Sequence, residues 1–507
     1  MQVRRPMHVA PDDRKTGPGP GSAVLNQMKS SGFSDIVERE LPAMAADMQE
    51  LYAQRLNRYV TAMRNGRPDR VPIRPFAAEF TARHCGMTAQ QVTHDYRQAF
   101  EAVIRCCRDY DWDAAVPNMV YVWTGLVQAA GLRYYAIPGI DVDEHTGFQY
   151  REPDMEHAWM RREEYDEFIE DPVAFLWTKW LPRISAEYEK SPMRRDLALV
   201  KSAWAMADYF SAFGPQVQRM KEETGTVSAI SGMLKAPLDV LADKFRGYVG
   251  LAFDLKEIPE KVAAACRALM PHLGQIALSG LDPERCLPVP VWLHRSCVPF
   301  ISREHFDTIF WPTFRPLVEA VWAKGNQVLF YAEGRWDAHL DTFATLPAGS
   351  IIYHMDRGDP KLCAEKLGKK FCLSGGVPNA LLAFGTPEQV RARCKELIDV
   401  CGENGGYIMD ASAIIQSDAR VENVRAMTEF TREYGVYCSS PCSAPPPPPP
   451  AERCPAPDLG PPRRCFRWEE KLMEIPAIRG DAGLCRRIWN DLDSFAYTWI
   501  WHLVLSF

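Results

Sequence analysis

Residues that can transfer protons stand at the ends of strand-like runs between positions 327 and 437. They are Glu333, His354, Asp356 and Asp410. Carboxylates and imidazoles that converge from separate strands could act as a general acid and a general base, where catalysis needs a pKa near neutrality. They could equally bind a metal that prefers oxygen and nitrogen ligands. A strand-end carboxylate can instead cap the next helix, so each residue also has a structural interpretation.

Four strand-like runs in this region alternate with helical runs and turn signals. Parallel strands need crossover helices, so four consecutive βα units predict a parallel sheet. Ligands bind at the carboxyl ends of the strands in such sheets. The pattern therefore predicts that these four polar residues share one rim of the sheet.

Four more strand-like runs precede this region, at residues 71–76, 113–118, 227–232 and 289–294. The total of eight predicts a TIM (β/α)8 barrel of the α/β class, a fold that occupies about 250 residues before insertions. A helical pattern over residues 36–65 predicts an N-terminal helical extension. The fourth strand would bring His294 and Arg295 to the rim, and the loop after the seventh would bring Asn379.

Composition divides the chain into four predicted segments. Residues 1–34 form a flexible polar arm, 35–437 the barrel, 438–466 a Pro-rich linker and 467–507 an aromatic helical tail. Six consecutive prolines in the linker favour a stiff polyproline II spacer. We expect the tail to pack on its own barrel. The alternative is a homo- or hetero-oligomeric interface, because aromatic residues are enriched at interfaces.

Charge and apolar patterning exclude several classes of protein. The net charge of the 507 residues is -6 and no dense Lys/Arg run occurs, so we do not expect a nucleic-acid binder. No apolar leader follows Met1, and the longest apolar stretch, 494–507, is shorter than the roughly 20 residues that span a bilayer. The 15 cysteines lack the framework of a small secreted domain, which predicts a reducing cytoplasmic location.

Three C-terminal segments resemble the uroporphyrinogen decarboxylase superfamily, which includes methyltransferases that work with corrinoid proteins. They are GGVPNALLAFGTPEQV at 375–390, GGYIMD at 405–410 and RVENVRAM at 420–427. The resemblance is specific from about 327 to 437, looser back to about 51, and says little about the tail. It implies a TIM barrel with its pocket at the carboxyl ends of the strands. It does not by itself choose between decarboxylation and methyl transfer.

The resemblance also shows what this chain lacks. Authentic uroporphyrinogen decarboxylases carry Arg-Gln-Ala-Gly-Arg-Tyr after the first strand, where this chain reads AEFTARHC at 78–85. Their catalytic Asp would fall near Asn118. Without that carboxylate the pyrrole nitrogens lose their anionic partner, so decarboxylation of a porphyrinogen is not expected.

A zinc site of the family type is not expected either. Zinc-dependent corrinoid methyltransferases carry His-x-Cys at the strand end that here reads Tyr331-Ala-Glu333, and a further Cys that aligns with Ala413. The soft thiolate pair that would hold Zn²⁺ is therefore absent. Only Glu333 could still ligate at these positions, and zinc remains an open question. Glu333 and His294 are the possible ligands of another metal.

The preferred hypothesis is a corrinoid-dependent methyltransferase component. Its catalytic candidates are Glu333, His294, Asp410 and His354. The methyl group of methylcobalamin is transferred by in-line attack of the acceptor. The enzyme must therefore align the acceptor and increase its nucleophilicity. Glu333 and His294 could deprotonate a phenol, an enol or a similar acid. No Asp-x-His-x-x-Gly cobalamin signature occurs, so we expect a corrinoid-binding partner protein to deliver the cofactor.

At this point the sequence does not decide the substrate, the direction of methyl transfer, or whether the protein is a catalyst. The substrate-binding candidates are Arg83, His84, Asn118, Arg295, Tyr331, Asp356 and Asn379. Aromatic residues near the early strand ends would suit an aromatic or steroid-like substrate, and they are Phe76, Phe80, Tyr121 and Trp123. One alternative is a decarboxylase of a smaller acid that is held by Arg83 or Arg295. Another is a non-catalytic scaffold or docking subunit of a corrinoid enzyme complex.

Overall fold

The computed structural model describes residues 46–117, 123–294, 296, 300–437, 455–475 and 477–505. The predicted N-terminal arm and most of the Pro-rich linker lie outside these ranges. So do the site candidates Asn118 and Arg295, and the aromatic candidate Tyr121.

Five parallel strands form the main sheet. In spatial order they are β5 (Val289–Leu293), β6 (Val328–Ala332), β7 (Ile351–Met355), β8 (Cys372–Gly375) and β9 (Tyr407–Ile408). The last residues of β5 to β8 are in register, since Leu293 pairs with Ala332, Ala332 with Met355, and Met355 with Gly375. The residues that follow these strands therefore begin their loops at one edge, as the alternating pattern predicted.

The remaining strands are short. β1 (Ala114–Ala115) pairs in parallel with β4 (Val227–Ser228), and β2 (Tyr135–Ala136) pairs in an antiparallel way with β3 (Gln149–Tyr150). The segment that runs from β2 to β3, with the turns between them, is called the 135–150 hairpin below.

Backbone hydrogen bonds connect the β1–β4 pair to the main sheet. On one side, the N–H of Asp113 donates to Ile73 O at 3.0 Å, and that of Arg74 donates to Met409 O at 3.0 Å. On the other side, the N–H of Leu234 donates to Pro290 O at 2.9 Å. No closed eight-stranded sheet is assigned within the described ranges. The predicted first strand, 71–76, contributes isolated bridges, because Pro72 and Pro75 cannot donate to a ladder.

Helices fill the connections. The α-helices span Ala46–Met63, Phe80–His84, Ala89–His94, Tyr96–Tyr110, Thr124–Ala130, Tyr165–Glu170, Pro172–Phe175, Leu181–Ile184, Pro192–Ser211, Phe213–Thr224, Pro237–Leu241, Gly247–Glu257, Pro259–Ser279, Arg303–His305, Trp311–Ala323, Leu340–Phe343, Pro360–Lys366, Asn379–Phe384, Pro387–Cys401, Val421–Tyr434, Trp468–Glu474 and Ala482–Leu505. Turns of π-helix occur at Leu176–Trp180, Ala242–Arg246 and Phe306–Phe310, and 3₁₀ turns at Arg162–Glu164, Ala186–Glu189 and Asp337–His339.

The helical run from Pro172 to Ile184 is interrupted. A π-helical turn, Leu176–Trp180, separates two short α-helical segments and precedes Pro182. Proline lacks the N–H that an α-helix interior uses and crowds the preceding turn, so a local widening of the helix accommodates it.

The C-terminal helix packs on its own chain. Tyr497 and Trp501 lie against His272, with 2.8 Å between Tyr497 Oη and His272 Nδ1, and Trp501 stacks on that imidazole at 4.7 Å. Trp499 contacts Trp177 at 5.3 Å between ring centroids. The predicted self-packing of the tail is confirmed for these rings, so they do not form an exposed interface. Among the described residues, no helix is long and apolar enough to cross a membrane.

Candidate active site

An ion pair stands at the carboxyl end of β5. His294 follows this strand directly, and its Nε2 lies 2.9 Å from Oδ2 of Asp243 in the π-helical turn at Ala242–Arg246. Burial alone would lower the pKa of the imidazole, but the carboxylates of Asp243 and Asp239 outweigh it and raise this pKa to about 9. His294 is therefore an imidazolium at neutral pH.

A second carboxylate supports this ion pair from the preceding helix, Pro237–Leu241. The side chain of Asp239 is fully buried, accepts a 2.6 Å hydrogen bond from Ser296 Oγ, and accepts a weaker one from the backbone N–H of His294 at 3.4 Å. Burial raises the pKa of Asp239, while His294 opposes the rise. Asp243 thus pairs with the imidazolium of His294, and Asp239 bonds the backbone of the same residue.

Sequence reasoning missed both of these carboxylates. Asp239 and Asp243 are four residues apart and follow the third predicted strand, a spacing that places two side chains on one helix face. This spacing, directly after a predicted strand, is the sequence feature that could have identified both carboxylates as site residues.

Glu333 lies beside His294. It follows β6, whose last residue pairs with the last residue of β5. Burial raises the pKa of the Glu333 carboxyl, and the positive charges of His294 and Lys235 partly offset the rise. The structure therefore brings together the two residues that the sequence favoured as an acid–base pair.

Asp356 has a positioning role. It was predicted to bind substrate, but its Oδ2 accepts a 2.8 Å hydrogen bond from the backbone N–H of Gly334. This bond anchors the turn that carries Glu333 to the end of the neighbouring strand β7. Trp336 adds a second restraint, since its Nε1 donates to Glu333 O at 2.8 Å.

An aromatic layer lines the sheet below this rim. Phe76 contacts Trp292 and Tyr331 with ring centroids 5.5 and 5.3 Å apart, and Lys235 Nζ lies 5.9 Å above the Trp292 ring. Tyr331, a predicted substrate-binding residue, is fully buried and stacks on the ring of His354 at 4.0 Å. Tyr331 thus separates the rim from a deeper polar cluster.

The deeper cluster contains two residues that were predicted as catalytic and as members of the rim. His354 and Asp410 are both fully buried, as is Arg74, whose Nη2 lies 3.2 Å from both Asp410 Oδ2 and His354 Nδ1. His354 is the fourth of the five residues of β7 and pairs with Tyr331 and Ser374, so it lies one layer below the strand ends. His354 is therefore not on the rim, and Asp410 faces it across the buried cluster, with 3.8 Å between Asp410 Oδ2 and His354 Nδ1.

Hydrogen bonds define the state of this cluster. His354 Nε2 donates to Ser412 O at 3.1 Å, so Nδ1 is the acceptor and faces Ser374 Oγ at 3.1 Å. Burial and Arg74 hold the pKa of His354 well below its ordinary value. Burial raises the pKa of Asp410 to about 7, although Arg74 and the backbone N–H groups of Phe76 and Ala411 oppose the rise. The cluster is a polar core that joins strands.

Three further candidates bind other parts of the chain. Arg83 Nη1 donates to Ser417 O at 2.6 Å, and His84 Nε2 lies 2.8 Å from Asp109 Oδ2. Asn379 donates to Ile414 O at 2.7 Å and accepts from the N–H of Ala413 at 3.2 Å. These contacts tie loops and helices together, so the structure gives each of the three a structural task.

A resident metal site is not evident in the part of the chain that the structure describes. No group of three or more His, Cys, Asp or Glu side chains there is placed to hold one ion.

The fold and site define an α/β protein with ionisable residues gathered where parallel strands end, a usual place for an enzyme's pocket. Residues 187–434 match the family model described as uroporphyrinogen decarboxylase (URO-D). The matched region of the chain, residues 187–434, belongs to the uroporphyrinogen decarboxylase superfamily.

A solved structure and a search of curated proteins complete the comparison. The chain is similar to a methyltransferase from Methanosarcina mazei, with a TM-score of 0.47 and 14% sequence identity over 75% of this chain and 98% of that chain. No curated protein matches the sequence.

Proposed function

We propose that this protein transfers a methyl group between a corrinoid carrier and a small organic molecule with an acidic O–H or C–H group. The observation that carries the proposal is the His294–Asp243 ion pair beside Glu333 at the strand ends. The family supplies the frame, and the missing porphyrinogen signature argues against the family's namesake reaction.

The proposal includes a closed (β/α)8 barrel with an N-terminal helical extension and a C-terminal helical tail. It is supported by the backbone hydrogen bonds through Ile73, Arg74 and Leu234, which connect the β1–β4 pair to both edges of the five-stranded sheet. In such a barrel the carboxyl ends of the strands surround one mouth.

Glu333 acts as the base in this proposal. A carboxylate whose pKa is raised by burial is better matched to a weakly acidic substrate than an ordinary exposed carboxylate. It takes the proton of the substrate O–H or C–H group. The imidazolium of His294, which Asp243 and Asp239 hold in place, stabilises the negative charge that develops on the substrate.

The charges of the site favour a neutral substrate over a carboxylate. Among the described residues near the site, the cations His294 and Lys235 and the partly protonated Lys244 face the carboxyl groups of Asp239, Asp243 and Glu333. No surplus of positive charge remains there to hold a substrate carboxylate. Arg83, which would have held one in a decarboxylase, donates to Ser417 O instead.

The corrinoid is treated as a co-substrate. The chain has no Asp-x-His-x-x-Gly signature, so the fit of its own residues to a resident cobalamin is poor, and a partner protein would bring the group to the mouth. When bound there, it supplies or receives the methyl group. The half-buried Trp292 and the buried Phe76 offer an apolar wall for an aromatic or steroid-like substrate.

The test is methyl transfer by the purified protein. With methylcobalamin and a panel of phenols and enols, loss of the Co–C absorbance should depend on both protein and acceptor. Glu333→Gln should slow it by about 10²- to 10⁴-fold, because general-base catalysis is lost. The matched control is Glu365→Gln, on the exposed face of the Pro360–Lys366 helix, and it should behave as wild type.

Two outcomes would reject the proposal in favour of the alternatives. Release of CO₂ from a non-porphyrin acid without loss of the Co–C absorbance would identify a decarboxylase. Turnover that survives in both Glu333→Gln and His294→Ala, together with loss of a corrinoid complex on deletion of residues 438–507, would identify a docking subunit.

A further inference from the structure

Glu79 is a further carboxyl group at the same end of the sheet, and neither the family resemblance nor the strand-end pattern assigned it a role. It follows the segment 71–78, where Ala77 bridges in parallel to Ile415. Phe76, three residues earlier, packs against Trp292 and Tyr331, which lie on the strands that end next to His294 and Glu333. Glu79 therefore follows a segment that packs beside the strands carrying His294 and Glu333, at the end where the chain leaves that segment.

The side chain of Glu79 is buried without full hydrogen bonding. The residue is 5% exposed, and its Oε2 has no hydrogen-bond partner among the described residues. A buried carboxyl oxygen without a partner has lost its hydration and gained no hydrogen bond in return. A structural carboxylate would ordinarily be paired, as Asp356 is here with the N–H of Gly334, so an unpartnered carboxyl oxygen at this end of the sheet indicates a ligand contact.

The 135–150 hairpin covers this carboxyl group and connects it to the ion pair. At one end, Gly147 packs so closely on Glu79 that a Cβ there would collide with Oε1. At the other end, the Tyr150 hydroxyl donates to Asp243 O, and the rings of Tyr135 and Tyr150 lie 5.5 and 5.3 Å from Lys244 Nζ. The hairpin therefore borders both Glu79 and the residue that holds His294.

Charged neighbours do not explain the protonation state of the Glu79 carboxyl group. Arg83 and His84, on the adjoining helix, are engaged by Ser417 O and by Asp109. The charged residues of the hairpin loop, Asp143, Glu144 and His145, are exposed. Burial alone raises the pKa of Glu79 to about 7, and its own backbone N–H opposes the rise. A carboxyl group in this state is substantially protonated in neutral solution.

We propose that Glu79 binds the substrate as a neutral carboxyl group, through a hydrogen bond from Oε2 to an uncharged oxygen of the substrate. This rests on the proposed function and narrows it. The substrate class is a molecule with an acidic group that reaches Glu333 and a second oxygen, of a carbonyl or ether group, that reaches Glu79. A neutral donor suits such an acceptor, whereas an ionised carboxylate would repel it.

Two variants separate this role from others. Glu79→Gln keeps an uncharged donor, so below pH 7 its KM should stay within about threefold of wild type. Glu79→Ala removes the donor and should raise KM about tenfold with little change in kcat, because one neutral hydrogen bond is lost. Above pH 7 the KM of wild type should rise with pH, whereas that of Glu79→Gln should stay flat.

Infrared difference spectra give a readout that does not need turnover. Subtracting Glu79→Gln from wild type at pH 6 should leave the C=O band of a protonated carboxyl group, and the band should vanish by about pH 8.5. Gly147→Ala should displace this band, because the new methyl group meets Oε1. Gly214→Ala, where a Cβ meets nothing within 4 Å, is the control.

The outcomes are distinguishable. A missing band at pH 6, or an unchanged KM in Glu79→Ala, overturns the role of Glu79 even if methyl transfer occurs. Equal loss of activity in Glu79→Gln and Glu79→Ala below pH 7 also overturns it, because the group would then have to ionise. If wild type transfers no methyl group, the proposed function fails. The band and the binding of hydroxyaryl ketones to wild type and Glu79→Ala, measured by calorimetry, then decide the role of Glu79 alone.

Discussion

The carboxylate of Asp243 lies 2.9 Å from Nε2 of His294, although 51 positions separate the two residues in the chain. The contact depends on the π-helical turn Ala242–Arg246, which turns Asp243 towards the end of β5. The charge of His294 therefore depends on a residue of a neighbouring element. A substitution at Asp243 tests this dependence directly.

Asp243→Asn should lower the pKa of His294 from about 9 towards the ordinary value near 6.5, because the main opposing charge to burial is removed. The imidazole proton resonances, followed by NMR against pH, measure this change. Asp166→Asn, which removes a surface carboxylate that is 74% exposed beside Lys261, should leave the titration unchanged. A His294 that still titrates near 9 in Asp243→Asn would assign the effect to Asp239.

Asp410 should make the stability of the protein fall as pH rises. Its pKa in the folded state is about 7, above the unfolded value near 4, so the stabilisation is complete below pH 4 and is lost as pH rises through 7. Asp410→Asn cannot titrate. The free energy of unfolding of wild type relative to this variant should therefore decrease between pH 4.5 and 7, by on the order of 1 kcal/mol per pH unit at most.

Urea unfolding at several pH values measures this difference. Asp341→Asn, at a carboxylate that is 75% exposed, serves as the control and should show no such trend. A flat difference for Asp410→Asn would mean that Arg74 keeps Asp410 ionised throughout.

Gly375 should be intolerant of any side chain. Its φ is +78°, and a Cβ there would lie 2.7 Å from His354 Cε1 and 2.8 Å from Met355 O. Gly349 has a similar φ of +77°, but its nearest neighbour would be 3.6 Å away. Gly349→Ala should cost about 1–2 kcal/mol from backbone strain alone, and Gly375→Ala about 1–3 kcal/mol more from overlap. Equal costs in chemical denaturation would contradict the close packing of His354.

The tail should contribute to the stability of the whole chain. Trp501 is fully buried against His272, so Trp501→Ala should lower the free energy of unfolding by about 3–5 kcal/mol. Ile488, on the same helix, is 51% exposed, and Ile488→Ala should change it by less than about 0.5 kcal/mol. A separate early transition of the tail in thermal unfolding would show that it folds apart from the rest.

The parallel arrangement of β5 to β9 was predictable because each strand is a short apolar run followed by a helix. The proximity of His294 and Glu333 followed from it, since both come directly after strands that pair in register. The depth of His354 was not predictable in the same way. Whether a polar residue near a strand's end faces the mouth or the core depends on one position of register, and here His354 pairs with Tyr331 one step before the edge.

Asp239, Asp243 and Glu79 escaped prediction for a different reason. None ends a strand-like run: two lie on a helix and its π-helical continuation, and the third lies on a turn before Phe80–His84. Their importance comes from burial by segments distant in sequence, which a local pattern does not encode. The unsatisfied oxygen of Glu79 is visible only once the 135–150 hairpin is placed.

The C-terminal helix is connected to the site by Tyr134, which contacts both the helix and Lys244. Tyr134 donates from its hydroxyl to Leu503 O at 3.2 Å, and its ring lies 4.4 Å from Nζ of Lys244, the neighbour of Asp243. A segment beyond the family-matched residues 187–434 therefore buttresses the wall that carries the ion pair. Deleting this helix would remove that support, so the last part of the chain contributes to the wall that holds Asp243 in place.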